Sequence, residues 1–162
     1  MDSTPPADQV CKVTQESYPP TQSPACATRV SEAGSDGAGT VLVVDDDESV
    51  RGLTAKMLAR MGFEVIQAAD GAEAVEVFAR HKEEIRWVFS DVRMPRMDGW
   101  EMLAEVRKIC PGIPVVLASG YDPLSMNVEH YPDQPQAFLC KPYGFEKLQE
   151  AIRKALGGKV TC

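Results

Sequence analysis

Four short apolar runs in this chain each stop at a charged or hydroxyl-bearing residue. Val41-Leu42-Val43-Val44 runs into Asp45-Asp46-Asp47, and Trp87-Val88-Phe89-Ser90 into Asp91. Val115-Val116-Leu117-Ala118 ends in Ser119-Gly120, and Ala137-Phe138-Leu139-Cys140 in Lys141-Pro142. A run without polar alternation has no face left for water. As a strand it must be covered on both sides, the condition of a parallel sheet between helix layers. The carboxyl ends of such strands share one edge, and ligands of open parallel sheets bind there. Acids, a hydroxyl and an ammonium are therefore expected together at one edge.

From residue 40 onward, strand-like runs fall at 41–45, 63–68, 86–91, 114–118 and 137–140, with amphipathic segments between them. Val50, Leu53, Met57, Leu58 and Met61 follow helical spacing, as do Ala72, Val75, Phe78 and Ala79. Leu103, Val106 and Ile109 mark a third helix, and Phe145, Leu148, Ile152 and Leu156 the last. Asp70-x-x-Glu73 and Asp98-x-x-Glu101 read as capping boxes. Pro111-Gly112 and Gly157-Gly158 end the helices before them. A fourth helix is confined to about 124–130 by Pro123, Pro132 and Pro135. Right-handed crossovers then imply an α/β fold with a five-stranded parallel sheet, doubly wound as (βα)5 in the flavodoxin-like order 2-1-3-4-5. Its switch point, between strands 1 and 3, gathers Asp45, Asp46 and Asp91.

Residues 1–39 differ in kind. They hold five of the twelve prolines, many Ser, Thr and Gly, and no hydrophobic period. Such a segment buries too little surface to offset its ordering entropy, so a disordered tail or linker is expected. Residues 40–157 form the folded domain and 158–162 a C-terminal tail. The net charge of −7 does not suggest a nucleic-acid-binding surface. The five scattered cysteines, with no CxxC spacing, argue for a reducing compartment and against a disulfide framework or zinc site. No apolar stretch approaches the ~20 residues of a membrane span, and the N-terminus lacks a signal peptide's basic and apolar regions. A soluble cytoplasmic protein without membrane insertion is expected.

Three carboxylates in one crevice repel one another, and their pKa values rise. A divalent cation removes that conflict. Oxygen ligands without clustered His or Cys favour Mg2+ over zinc. A carboxylate not consumed as a ligand can act as a nucleophile and form an acyl phosphate. Charge developing on a transferring phosphoryl group needs cations and hydrogen-bond donors. Lys141 offers the first; Ser119 and nearby backbone amides offer the second.

Val43-Val44-Asp45-Asp46, Ser90-Asp91-Val92-Arg93-Met94-Pro95-Arg96-Met97-Asp98-Gly99, Ala118-Ser119-Gly120-Tyr121 and Lys141-Pro142 together resemble the signature of response-regulator receiver domains, CheY-like. The resemblance spans roughly residues 40 to 157. It implies Asp91 as phosphoacceptor, with Asp45, Asp46, Asp91 and the backbone carbonyl of Arg93 as Mg2+ ligands. Ser119 would be the switch hydroxyl, Lys141 the phosphate-binding lysine, and Phe138 stands at the switch-aromatic position. Arg93 and Tyr121 are expected to tune the acyl-phosphate lifetime, and Lys141-Pro142 to be cis. The implied donor is a phosphohistidine on a sensor histidine kinase or histidine phosphotransfer protein. The implied output is a face of helix 4, strand 5 and helix 5 that shifts on phosphorylation toward an unknown downstream partner.

Ser-Gly-Tyr after the fourth strand resembles receivers appended to hybrid histidine kinases. No ATP-binding Gly-rich loop accompanies His81 or His130, so self-phosphorylation from ATP is not expected. Nor is direct DNA binding, since only residues 159–162 follow the last helix and its glycines. The expected role is a signalling switch rather than a turnover enzyme, and a phosphorylation-dependent homodimer stays open. A rival reading is a haloacid-dehalogenase-like phosphatase, with Asp45 as nucleophile and Asp47 as acid/base; it lacks a later Gly-Asp-x-x-x-Asp motif. Another is a pseudo-receiver that binds partners unphosphorylated. In the receiver reading Asp47 is a helix cap, Trp87, Trp100 and Met94 are packing residues, and Cys140 is a small hydrophobe.

Overall fold

The computed structural model describes residues 38–121 and 131–157. The tail expected at 1–39 falls outside that range except at its end, as do the fourth helix expected at 124–130 and the C-terminal tail. In chain order the described elements are β1 (Thr40–Val44), α1 (Glu48–Arg60), β2 (Glu64–Ala68), α2 (Gly71–His81), β3 (Ile85–Asp91), α3 (Gly99–Ile109), β4 (Val115–Ser119), β5 (Ala137–Cys140) and α4 (Phe145–Ala155). Helix α4 is the last of the helices expected from sequence. All strand pairings are parallel and the order is β2-β1-β3-β4-β5, the doubly wound arrangement expected.

The apolar runs are continuous because the sheet is covered on both sides. Successive strand residues point to opposite faces, and the core divides accordingly. Leu42, Val44, Val88, Val115 and Leu117 pack on one face with Phe78 of α2 and Trp100, Leu103 and Val106 of α3. Val41, Val43, Trp87, Phe89, Val116 and Ala118 pack on the other with Leu58 of α1 and Leu148, Ala151 and Ile152 of α4. Burial of each valine, leucine, isoleucine or phenylalanine among them contributes about 1.5–3 kcal/mol, so the sheet is held from both sides.

Helix α1 sits differently from its apolar spacing. Its buried residues are Thr54, Ala55 and Leu58, whereas Leu53 is 59% exposed. The Thr54 hydroxyl satisfies itself on the carbonyl of Val50 at 2.9 Å, so threonine can face the core where an apolar-only pattern overlooks it. The two capping boxes also diverge. Around α3 the box is complete, with the Glu101 carboxylate accepting from the Asp98 amide at 3.1 Å. Before α2, Asp70 accepts from the Glu73 amide at 3.0 Å, but Glu73 reaches the amide of Ala69 instead, at 2.7 Å. Asp70 has φ −161° and Asp98 −77°. That rotation turns the Asp70 amide away from its helix.

Candidate functional site

The register brings the polar strand ends to one edge. Asp45 follows β1 directly, Asp91 ends β3 opposite Ala118, and Ser119 ends β4 opposite Cys140, just before Lys141. Asp45 and Asp91 are 2% and 7% exposed, Asp46 is exposed, and carboxylate oxygens of the three lie within 4.8 Å of one another. The Lys141 Nζ bridges the two buried acids, 3.0 Å from Asp45 Oδ2 and 3.0 Å from Asp91 Oδ1. Asp45 is also held from the other side. Its Oδ1 accepts from the Asp47 amide at 2.9 Å, and its carbonyl accepts from Arg51 Nη1 at 2.7 Å.

Burial raises the Asp91 pKa above its ordinary value of 3.8. Hydrogen bonding and attraction from Lys141 pull it down, and repulsion from Asp45 adds to the rise. Burial pulls Lys141 down from 10.5, but hydrogen bonds and attraction from Asp91 and Asp45 outweigh it and the net shift is upward. Both partners thus titrate upward, because desolvation dominates at the acid and pairing at the base. Lys141 remains an ammonium ion.

One ammonium among three carboxylates leaves two negative charges in excess, which matches a dication. For Mg2+ at about 2.0–2.1 Å from each ligand, facing oxygens lie about 4.2 Å apart. The 4.8 Å limit exceeds this by about 0.6 Å, so small side-chain shifts would let all three carboxylates reach one ion. The all-oxygen donor set fits Mg2+ and does not suit zinc.

Gly99 packs against the backbone of Asp91 and Val92. A Cβ there would stand 2.5 Å from the Asp91 carbonyl oxygen and 3.0 Å from Val92 Cα. The Gly99 amide donates to the Val92 carbonyl at 2.8 Å, closing residues 93–98 into a tight loop at the mouth of the site. In that loop Arg93 donates from Nη1 to the Tyr121 hydroxyl at 2.9 Å, and its guanidinium lies 5.1 Å from the Tyr121 ring centroid. Ser119 is buried; its hydroxyl accepts from the Tyr121 amide at 3.1 Å, and its carbonyl from the Lys141 amide at 2.7 Å. Phe138 is half-buried on the core side, 5.4 Å from the Trp100 ring centroid.

Two contacts went unread in the sequence. The Tyr143 and Thr54 hydroxyls meet at 3.0 Å, joining the segment after Lys141 to α1, while the Tyr143 ring stands edge-on to Phe89. Arg96 pairs with Asp70, the N-cap of α2. A tyrosine directly after Lys-Pro was the available signal for the first; the second had none. The Lys141-Pro142 peptide is cis. Trp87, Trp100 and Met94 pack in or against the core. Cys140 is half-buried on β5, and Cys110 is buried in the core. Asp47 is the α1 N-cap, its Oδ1 accepting from the Ser49 and Val50 amides, the role expected for it in the receiver reading.

A doubly wound parallel sheet with an acidic cleft and a bridging lysine at its carboxyl edge defines a flavodoxin-like domain with a candidate cation site. The chain belongs to the response regulator receiver domain family, whose match covers residues 41–153. It is 37% identical over 122 residues to the sensor kinase CckA of Brucella abortus, covering 74% of this chain and 13% of that kinase. It is 32% identical over 120 residues to the chemotaxis protein CheY of Bacillus subtilis, covering 74% of this chain and 98% of CheY. The crystal structure of the response regulator TrrA from Thermotoga maritima, in complex with Mg2+-BeF, superposes with a TM-score of 0.63 at 26% identity, covering 72% of this chain and 98% of that one. Receiver domains are signalling switches of two-component systems. Among the described residues no helix is long and apolar enough to cross a membrane.

Proposed function

We propose that Asp91 accepts a phosphoryl group from a phosphohistidine on a sensor histidine kinase or histidine phosphotransfer protein. The observation that carries this reading is the Lys141 ammonium 3.0 Å from both Asp45 and Asp91, inside a three-carboxylate cluster. Asp45, Asp46, Asp91 and the backbone carbonyl of Arg93 would hold Mg2+. When bound, the ion would neutralise the acids and the incoming phosphoryl oxygens. An Asp91 oxygen attacks phosphorus, forming a P–O bond as the P–N bond to the donor histidine breaks. Lys141 then exchanges one of its carboxylate partners for a phosphoryl oxygen. Ser119 supplies a hydroxyl donor to another. Because Lys141 begins β5's connection to α4, its new partner biases the face to which β5 and α4 contribute. Phe138 on β5 would follow that shift. A partner reads the face, and a second copy of the chain is one such partner.

Arg93 and Tyr121, joined at the mouth of the cleft, would control access of water to the acyl phosphate and hence its lifetime. The protein acts on the cytoplasmic side, where the kinase donor would be. Intact mass after incubation with acetyl phosphate, with and without Mg2+, tests the reading beside Asp91→Asn. A Mg2+-dependent gain of one phosphoryl group that disappears in Asp91→Asn is expected. Donor turnover that survives Asp91→Asn but not Asp45→Asn would overturn it.

A further inference from the structure

Arg96 sits at φ +69°, the only non-glycine residue with positive φ among those described. Its neighbours are bonded across it, with the Met97 amide donating to the Pro95 carbonyl at 2.8 Å. A three-residue turn of this hand is the rarer and more strained γ-turn. Glycine would adopt it freely, so the arginine is held there by its side chain. The guanidinium, 69% exposed, pairs with an Asp70 carboxylate that is 4% exposed. The other oxygen of Asp70 caps α2. Beside it the loop and helix meet backbone to backbone, since a Cβ on Gly71 would lie 2.6 Å from the Met97 carbonyl oxygen.

We infer that the Asp70–Arg96 pair is a clamp that shapes loop 93–98 from the N-terminus of α2, making both of them positioning residues for the cation site. The loop begins at Arg93 and is tied at its far end by the Gly99–Val92 bond. Its only charged tie to another element among the described residues, besides Arg93 to Tyr121, is Arg96 to Asp70. Releasing it frees the turn to relax toward negative φ, which moves the backbone that carries the Arg93 carbonyl. The clamp also links α2, beside the edge strand β2, to the phosphoacceptor. This inference rests on reading Asp45, Asp46, Asp91 and the Arg93 carbonyl as the Mg2+ site.

The test is calorimetric titration of Mg2+ into the metal-free full chain, with thermal melting alongside. Arg96→Gly deletes the clamp and leaves the turn free to open, since glycine adopts either sign of φ. Asp70→Asn keeps an equally good helix cap and deletes the charge. Each is expected to weaken Mg2+ binding at least fivefold, with the double variant no weaker than either single one, because one interaction is lost. Arg96→Lys should recover part of the affinity. Dissociation constants within twofold of the unaltered chain in both single variants, whatever the melting temperature does, would overturn the clamp. If the unaltered chain takes up no Mg2+, or Asp45→Asn binds as it does, the cation-site reading itself fails and the clamp with it.

Discussion

Replacing Asp91 by asparagine should stabilise the metal-free protein at neutral pH while abolishing its function. Asp91 faces two carboxylates within 4.8 Å and one ammonium at 3.0 Å. At an effective dielectric constant of about 20, each repulsion costs about 3 kcal/mol and the attraction returns about 5 kcal/mol. Exposure screens the repulsion from Asp46, so the attraction from Lys141 exceeds the repulsion from Asp45, and burial of Asp91 is what turns the balance against its charge. The net upward shift of its pKa means that the folded protein resists this charge, so a gain on the order of 1 kcal/mol is expected for Asp91→Asn.

The pH dependence carries the sign. Burial raises the Asp91 pKa in the fold above 3.8, so the folded protein holds the proton more tightly than the unfolded chain. The destabilisation is absent below the unfolded value, grows as pH rises through the folded value, and is complete at pH 7. Urea unfolding followed by fluorescence of the fully buried Trp87, with a chelator present, measures the difference. The advantage of Asp91→Asn should shrink as pH falls toward 4. Saturating Mg2+ should reverse the ranking, because the ion stabilises the unaltered fold in proportion to its binding. An Asp91→Asn chain no more stable than its parent at pH 7 without Mg2+ would refute the electrostatic balance.

Gly99→Ala should destabilise by about 1–3 kcal/mol, because its Cβ meets backbone atoms that cannot turn aside; an unchanged urea midpoint would show the close approach to be soft. Tyr143→Phe should cost about 1 kcal/mol by removing the bond to Thr54, whose hydroxyl keeps the Val50 carbonyl. A Thr54→Val, Tyr143→Phe double variant should then lose less than the two singles together, and strict additivity in denaturation midpoints would sink the pairing. Arg93→Ala and Tyr121→Ala should change acyl-phosphate decay to a similar degree, since each removes the same contact; decay rates equal to the parent in both would remove them from control of water access.

Elements were legible where local periodicity encodes them. Strands such as Val41–Val44 and Trp87–Ser90 announced burial on both faces, and Asp47 and Asp98 announced helix starts, because caps and strands are decided within a few residues. The acid cluster was legible too, since parallel topology leaves its strand ends one edge to share. Leu53 was misplaced because apolar spacing cannot weigh it against Thr54, a polar residue that satisfies itself on its own helix.

Sequence alone thus determined the doubly wound sheet, the acids at its switch point, and a hydroxyl and a lysine at neighbouring strand ends. Only the tertiary structure decided that Lys141 bridges Asp45 and Asp91, that Tyr143 meets Thr54 across 89 positions, and that Arg96 turns left-handed to reach Asp70. These contacts join loops, which have no period. Their partners are set by strand register and by how closely helices approach the sheet, and neither is written in any short stretch of the chain.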